Sequence, residues 1–223
     1  MIFFVKFRVC SWQKIMKIVI FGSTGGTGKQ LVKQGLELGY EVTAFARTPS
    51  KLDEFKHEKL TIIKGDVLNY SDVEKAIIEH DAVLSSLGSP TLKAGDTTLS
   101  EGTKNIIKAM SANNVKRFIC ETSLGVGDSY GQPGFIFTKI IEPLFLKHAF
   151  ADKEIQETEI KASNLDWIII RPGGLNNKPK TSKYRHGLDK TITGNISRAD
   201  VAEFMLKQIN SDEYLRKTPA ICY

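Results

Sequence analysis

The sequence of 223 residues predicts an α/β fold in a single domain, with helices on both faces of a doubly wound parallel sheet. Two observations carry this prediction. Segments of strand and helix character alternate along the chain, which is typical of a parallel sheet. The first of these units joins an apolar strand to a helix through a run of glycines. No internal repeat or low-complexity linker divides the chain.

The first unit begins with the stretch IVIFGSTGGTG, residues 18–28. Its four apolar residues suit a strand covered on both faces. A helical stripe over 29–38 and a second strand over 40–46 complete a βαβ unit. Glycines between such a strand and helix allow a tight turn and let the backbone approach a pyrophosphate, which the helix N-terminus attracts. The pattern predicts a dinucleotide site, with a plain buried strand and flexible turn as the alternative.

The rest of the chain repeats the alternation. A capping box at Ser71–Glu74 indicates one helix start, and Ser197 indicates another. The polar segment 175–196 breaks the pattern, so we expect it at the carboxyl edge of the sheet, where ligands bind. The predicted strands are 60–63, 82–87, 117–122, 166–170 and 219–222, and further helices are predicted over 99–110 and 149–162.

Composition and charge narrow the class of protein. The formal net charge of +6 favours anionic ligands, such as a phosphorylated cofactor or an acidic pigment. Lysine and arginine are scattered rather than clustered, which disfavours nucleic acid, and no apolar run reaches membrane-spanning length. Three cysteines without metal-ligand spacing suit a reducing compartment. We therefore expect a cytoplasmic protein that binds neither nucleic acid nor membrane, as a monomer or weak oligomer.

The first fifteen residues, MIFFVKFRVCSWQKI, differ from the remainder. They are basic and apolar but lack a long apolar core and a small-residue cleavage site, so a secretory signal is disfavoured. Met16 stands directly before the first strand and would make a natural start. We interpret residues 1–15 as an extension rather than an organelle-targeting segment, and 16–223 as the dinucleotide-binding domain.

The end of the second predicted strand indicates which dinucleotide binds. Sheets that prefer NAD place an acidic residue there for the ribose hydroxyls. Here the chain reads ARTPSK, and Arg47 offers a forked cation suited to a 2′-phosphate. Lys51 could add a contact. These residues predict NADP rather than NAD, with a solvated loop cation as the alternative.

Polar or small residues follow three other predicted strands. Asp66 could accept a hydrogen bond from the adenine amino group, or could belong to a turn. Gly88 would let the backbone pass the cofactor. Thr122 and Ser123 could bind the nicotinamide carboxamide, the substrate or the loop backbone.

The motifs GSTGGTG, FAR, GDV, SSLGS, ETS, SNLDWIIIRPGGL and SRADVAEFML resemble those of the atypical short-chain dehydrogenases/reductases. From about Met16 to the C-terminus, the chain is similar to the NADPH-dependent biliverdin reductase B and flavin reductase group and to NmrA-like NAD(P)H-binding relatives. The resemblance implies a Rossmann fold, NADP(H) as cofactor, and a flavin or linear tetrapyrrole as substrate.

The resemblance also implies roles for single residues. The pyrophosphate would be held by the glycine loop and the 2′-phosphate by Arg47. Adenine would be flanked by Asp66 and Val67. The remaining assignments are Gly22, Thr24, Gly25, Gly26, Thr27 and Gly28 for the pyrophosphate, Leu87 and Gly88 for the ribose, and Thr122, Ser123, Pro172 and Gly173 for the nicotinamide.

One departure from the wider superfamily bears on the chemistry. Most of its enzymes use a tyrosine followed four residues later by a lysine, and none of the six tyrosines here has that lysine. The predicted long helix carries Lys153, but Ala149 stands at the tyrosine position. Reduction of a ketone needs a positioned acid, whereas a conjugated ring spreads the incoming charge and can take its proton from solvent. Ser123 and Lys153 are the candidate catalytic residues, and Lys153 could either donate a proton or bind the cofactor.

These observations predict an NADPH-dependent reductase of flavins or biliverdin-type tetrapyrroles. A glycine-rich loop and the phenylalanines after it, within 124–150, would form the substrate site with 175–196. The alternative is a non-catalytic NADP-binding redox sensor or assembly factor of NmrA-like type. A sugar-nucleotide epimerase is disfavoured by the short chain and the missing tyrosine.

Overall fold

The structure, a computed structural model, describes residues 15–89, 91 and 94–223. The extension predicted for residues 1–15 lies outside the described residues, apart from Ile15. Its interpretation therefore stays a prediction.

The predicted parallel sheet is confirmed. The strands are β1 (Lys17–Phe21), β2 (Glu41–Ala46), β3 (Leu60–Lys64), β4 (Ala82–Ser85), β5 (Arg117–Glu121), β6 (Asp166–Pro172), β7 (Gly174–Asn176), β8 (Arg185–Gly187), β9 (Asn195–Ser197) and β10 (Ala220–Cys222). Eight of them form one sheet in the order β3-β2-β1-β4-β5-β6-β10-β8. Only β8, at the edge, runs antiparallel to its neighbour. The sheet order reverses between β1 and β4, which creates a crevice at the carboxyl edge.

Helices cover both faces of this sheet. They are α1 (Gly26–Glu37), α2 (Tyr70–Ile77), α3 (Thr98–Ala112), α4 (Lys147–Ala162) and α5 (Arg198–Lys207). Strand β1 shows why both faces need cover: Ile18 and Ile20 belong to one buried cluster, and Val19 and Phe21 to another. Alternate side chains of a strand point to opposite faces, so a continuous apolar run requires two helical layers.

Two helix starts differ in how well the sequence predicts them. Ser197 caps α5 as predicted, since its Oγ accepts a hydrogen bond from Asp200 N at 3.0 Å. The capping box at Ser71 is wrong, because α2 begins at Tyr70 and Asn69 Oδ1 accepts from Ser71 N at 3.0 Å. Asparagine is at least as good an N-cap as serine, and it stands two residues earlier.

The segments around the sheet's carboxyl edge depart further from the prediction. A wide, π-type helical segment, Phe137–Leu146, precedes α4, where the sequence indicated no helix boundary. The short strands β7 and β9 pair with each other outside the main sheet, in the register Gly174↔Asn195 to Asn176↔Ser197. Because the pair is parallel, the segment 177–194 runs from the carboxyl end of β7 back to the amino end of β9.

The start of α3 is capped by a side chain from another helix. Thr97 makes no side-chain cap bond. Instead, the buried carboxylate of Asp152 in α4 accepts hydrogen bonds from Leu99 N at 2.9 Å and Ser100 N at 3.2 Å. A carboxylate at a helix N-terminus also interacts favourably with the helix dipole. Asp152 therefore fixes α3 against α4.

We expect Asp152→Ala to lower the free energy of unfolding by about 1–3 kcal/mol, because two buried N–H groups lose their acceptor. Asp152→Asn, which keeps one acceptor oxygen, should lose less. Urea unfolding followed by circular dichroism measures both, with the exposed Asp53→Ala as the matched control. Equal stability of Asp152→Ala and the control would contradict the capping role.

Candidate functional site

The loop between β1 and α1 can be built only with glycine at two places. Gly22 has φ +77°, and a Cβ there would lie 2.4 Å from the Ser86 carbonyl oxygen. A Cβ on Gly28 would lie 2.1 Å from the Gly22 carbonyl oxygen. These close approaches set the loop against the end of β4 and lead the chain directly into α1.

The N-terminus of α1 is open to an anion. Its N-cap, Gly25, has no side chain to accept from the first-turn N–H groups, and the first turn contains no acidic residue. Unpaired N–H groups and the positive end of the helix dipole make such a terminus a phosphate-binding position. The geometry matches the expected role of the glycine loop toward a pyrophosphate.

A cavity of about 210 Å³ adjoins this loop at the ends of β2, β3 and β4. Arg47 lies on its wall after β2, and Val67 lies on it after β3. The shape and position suit the adenosine half of a dinucleotide. Its lining includes seven of the expected cofactor residues: Gly22, Thr24, Gly25, Arg47, Val67, Leu87 and Gly88.

Two residues expected on the adenosine side, Asp66 and Lys51, do not line this cavity. Asp66 Oδ1 accepts from Leu68 N at 3.0 Å, and Asp66 N donates to Asp72 Oδ2 at 3.2 Å. Both bonds belong to a local turn, and a turn residue is the alternative to adenine binding that the sequence indicates for Asp66. Lys51 is exposed in a short helical turn, Pro49–Leu52, away from the lining.

A larger cavity, about 750 Å³, opens at the ends of β5 and β6. One side carries the polar and small residues expected near the nicotinamide: Thr122, Ser123, Pro172 and Gly173. The other side is apolar, with Phe137 and Phe150 in ring contact at 5.8 Å between centroids. Further lining residues come from both predicted substrate elements: Leu124, Pro133, Leu146, Leu175, Thr193, Gly194 and Asn195.

The two candidate catalytic side chains have different surroundings. Ser123 lines the cavity, and its Oγ donates to its neighbour's carbonyl, Leu124 O, at 3.2 Å. Lys153 does not line the cavity; its Nζ donates to Thr122 O at 2.9 Å. Desolvation lowers the pKa of Lys153, against the attraction of Glu121. In this geometry the Lys153 ammonium group holds the end of β5 in place without facing the cavity.

Glu121 is a buried carboxyl that the sequence analysis missed. It accepts a hydrogen bond from Thr27 Oγ1 at 3.1 Å, so the hydroxyl of this glycine-loop residue points inward. Burial raises the pKa of Glu121, and the positive charges of Lys153 and Arg198 oppose the shift. The motif ETS contained the signal, because an acid at the end of a buried strand needs partners.

A buried ion pair lies under the larger cavity. Arg171 donates to Glu157 through Nε at 2.9 Å and Nη2 at 2.5 Å. Glu157 also accepts from Thr122 Oγ1 at 2.8 Å, and Arg171 reaches Asp128 at 2.7 Å. Burial raises the pKa of Glu157, but its bonds to Arg171 outweigh this, so the pKa is lowered. The Thr122 hydroxyl is thus engaged below the cavity floor.

A family model described as NAD(P)H-binding matches residues 22–212. The chain belongs to this NAD(P)H-binding family. The match spans the glycine loop, the residues that line both cavities and α5, so the chain binds a nicotinamide dinucleotide, NAD(P)H.

Two relatives show what kinds of protein the chain is similar to. The chain is 30% identical over 215 residues to an uncharacterised chloroplastic protein of Arabidopsis thaliana, covering 90% of this chain and 74% of that one. It is 24% identical over 221 residues to the photosystem II assembly factor Ycf39 of Synechocystis, covering 91% of this chain and 61% of the factor. The chain therefore spans less than two thirds of Ycf39.

Solved structures confirm the Rossmann fold. ChuY, an anaerobilin reductase of Escherichia coli O157:H7, has a TM-score of 0.79 at 22% identity, over 92% of this chain and 96% of that chain. A short-chain dehydrogenase/reductase of Veillonella parvula in complex with NADP has a TM-score of 0.76 at 20% identity, over 93% and 94%. Within the described residues, no helix is long and apolar enough to cross a membrane.

We expect Arg47→Ala to weaken NADP⁺ binding by about 1.5–3 kcal/mol, the scale of a charge-assisted hydrogen bond, and to leave NAD⁺ binding nearly unchanged. Only NADP⁺ has a 2′-phosphate for the guanidinium. Titration calorimetry with both cofactors measures the difference, and exposed Lys56→Ala controls for the loss of a nearby positive charge. Equal losses for the two cofactors would show that Arg47 does not contact the 2′-phosphate.

Proposed function

We propose that this protein is an NADPH-dependent reductase of a conjugated planar acceptor, either a flavin or a linear tetrapyrrole. The observation that carries the proposal is the larger cavity, which has aromatic and aliphatic walls beside the predicted nicotinamide residues. Ligand sites of this kind are mostly apolar, with a few polar groups that fix orientation. A cavity of about 750 Å³ has room for a large acceptor.

The surroundings of the reaction centre also favour such an acceptor. Ala149, at the position of the usual tyrosine, is buried and carries no acidic group. Lys153, the candidate lysine, donates to the backbone carbonyl of Thr122 at the end of β5. An alkoxide formed from a ketone would lack a positioned proton donor. A conjugated ring delocalises the added charge and can be protonated by water.

In this proposal the protein supplies position and environment. NADPH, when bound, supplies a hydride, and one proton from water completes the reduction. The Ser123 hydroxyl would orient the acceptor or the carboxamide. Phe137 and Phe150 would stack against the ring and exclude water from one side. The ion pair of Arg171 and Glu157 would hold the two strand ends at a fixed spacing.

The likeness to ChuY supports the tetrapyrrole arm of the proposal, since that protein is named as a reductase of a bilin. The likeness to Ycf39 supports a second candidate function, an NADP-binding redox sensor or assembly factor. A missing tyrosine is compatible with both. Turnover separates them, because a sensor binds NADPH without oxidising it in the presence of an acceptor.

The test is NADPH oxidation with riboflavin, FMN or biliverdin, followed under anaerobic conditions at 340 nm, with cyclohexanone as the simple-ketone control. We expect multiple turnovers with at least one conjugated acceptor and almost none with the ketone. Tight NADPH binding without turnover of any acceptor would favour the sensor. Rapid reduction of the ketone would overturn the proposed mechanism.

We expect Ser123→Ala to lower kcat by less than about 10-fold. A lost general acid costs roughly 10²–10⁴-fold, whereas Ser123 only positions the acceptor or the carboxamide. Steady-state kinetics with a conjugated acceptor measures the change.

We expect Lys153→Met to lower kcat/KM for NADPH more than kcat, because loss of the hydrogen bond to Thr122 O displaces the end of β5. If the Lys153 ammonium were the acid, kcat would fall as pH rises through its lowered pKa. Steady-state kinetics across pH should show no such decline of kcat. If the wild-type protein shows this decline, and Lys153→Met abolishes it and also causes kcat to collapse, then Lys153 is the proton donor.

A further inference from the structure

Arg198 connects the two parts of the candidate site. It is the first residue of α5, directly after the N-cap Ser197. Its side chain crosses to the first residue of α1, since a Cβ built on Gly26 would lie 2.5 Å from Arg198 Cδ and 2.8 Å from its Nε. Arg198 also lines the larger cavity. The guanidinium thus lies between the glycine loop and the nicotinamide side of the site.

The buried carboxyl of Glu121 attracts the positive charge of Arg198 without forming an ion pair with it. The N-terminus of α1 carries a partial positive charge, which repels a cation placed against it. The contact that holds the head of Arg198 is neutral: Nη1 donates to Asn177 Oδ1 at 2.7 Å. Among the residues that the structure describes, no carboxylate forms an ion pair with Arg198.

We propose that Arg198 binds the pyrophosphate of the dinucleotide, on the phosphate next to the nicotinamide ribose. An anion there would interact with the α1 N–H groups on one side and the guanidinium on the other. Arginine suits this role because its planar fork can donate two hydrogen bonds to a phosphate, and the contact to Asn177 uses only Nη1.

The lining of the cavities indicates which phosphate Arg198 binds. Arg198 borders the cavity that contains Thr122 and Ser123, whereas the adenosine-side cavity with Arg47 does not include it. Arg47 and Arg198 would therefore act on different phosphates of one ligand. Arg47 would select NADP over NAD, and Arg198 would strengthen both without discriminating between them.

Calorimetric binding of NADP⁺, NAD⁺ and adenosine 2′-monophosphate, which lacks the pyrophosphate, tests this division. We expect Arg198→Met, which keeps the aliphatic stem, to weaken NADP⁺ and NAD⁺ alike by about 10- to 100-fold, the range of a charge-assisted hydrogen bond. Binding of adenosine 2′-monophosphate should not change. Arg47→Ala should give the opposite pattern, with NADP⁺ and the monophosphate weakened and NAD⁺ retained.

Lys29→Met is the matched control, because Lys29 lies in the same first turns of α1 but its Nζ pairs with Glu54 at 2.6 Å. It should leave all three affinities within about twofold. Unchanged NADP⁺ and NAD⁺ binding in folded Arg198→Met would overturn the proposal, whatever happens to the KM of an acceptor. An equal loss of affinity for adenosine 2′-monophosphate in Arg198→Met would also overturn it, because that result would indicate a general disturbance of the site. If Arg198→Met does not fold, Arg198→Gln is judged by the same criteria.

Discussion

The buried ion pair of Arg171 and Glu157 is the constraint on which the acceptor side of the molecule depends. It joins β6 to α4, and through Thr122 and Asp128 it also reaches the end of β5 and the loop that follows. Both charged groups are almost fully buried. Such a pair gains little net stability over apolar residues, because desolvation is costly, but leaving one partner alone is severely destabilising. Its value here is geometric, since it fixes two neighbouring strand ends at the floor of one cavity.

The cofactor side rests on a different kind of constraint. Backbone groups approach one another so closely at Gly22 and Gly28 that a methyl group at either position would collide with main-chain atoms. The loop is thereby fixed by its backbone, and the side chains of Ser23 and Thr27 add hydrogen bonds to Phe45 O and Glu121 Oε1. One half of the site is built mainly from backbone and the other from paired charges and aromatic walls, and Arg198 and the Thr27–Glu121 hydrogen bond connect them.

The strands β1 to β6 and β10, the glycine loop and the cap at Ser197 could be predicted from the sequence, because each depends on a local pattern of apolar residues or on a local hydrogen bond. The short strands β7, β8 and β9 could not, because they lie in a polar segment without such a pattern. The partners of Glu121, Lys153 and Arg171 could not. Thr27 and Glu121, for example, are 94 residues apart in sequence, and no periodicity encodes their contact. Asp66 shows the reverse case: a residue at the expected strand end satisfies its carboxylate within its own turn. The π-type segment before α4 also escaped prediction, because Pro143 within it indicates a helix break.

The pairing of β7 with β9 has a consequence for how this scaffold can diversify. Because the pair is parallel, the segment 177–194 leaves the carboxyl end of β7 and returns to the amino end of β9, and the register of the pair fixes both of its ends. The entropic cost of closing a loop grows only logarithmically, by about 0.6 kcal/mol for each doubling of its length. Insertions or deletions between the two short strands would therefore reshape one wall of the acceptor cavity at small thermodynamic cost. Within this segment Asn177 contacts Arg198 and β8 pairs with β10, so new acceptor preferences can evolve on an unchanged cofactor site where the changes spare these contacts.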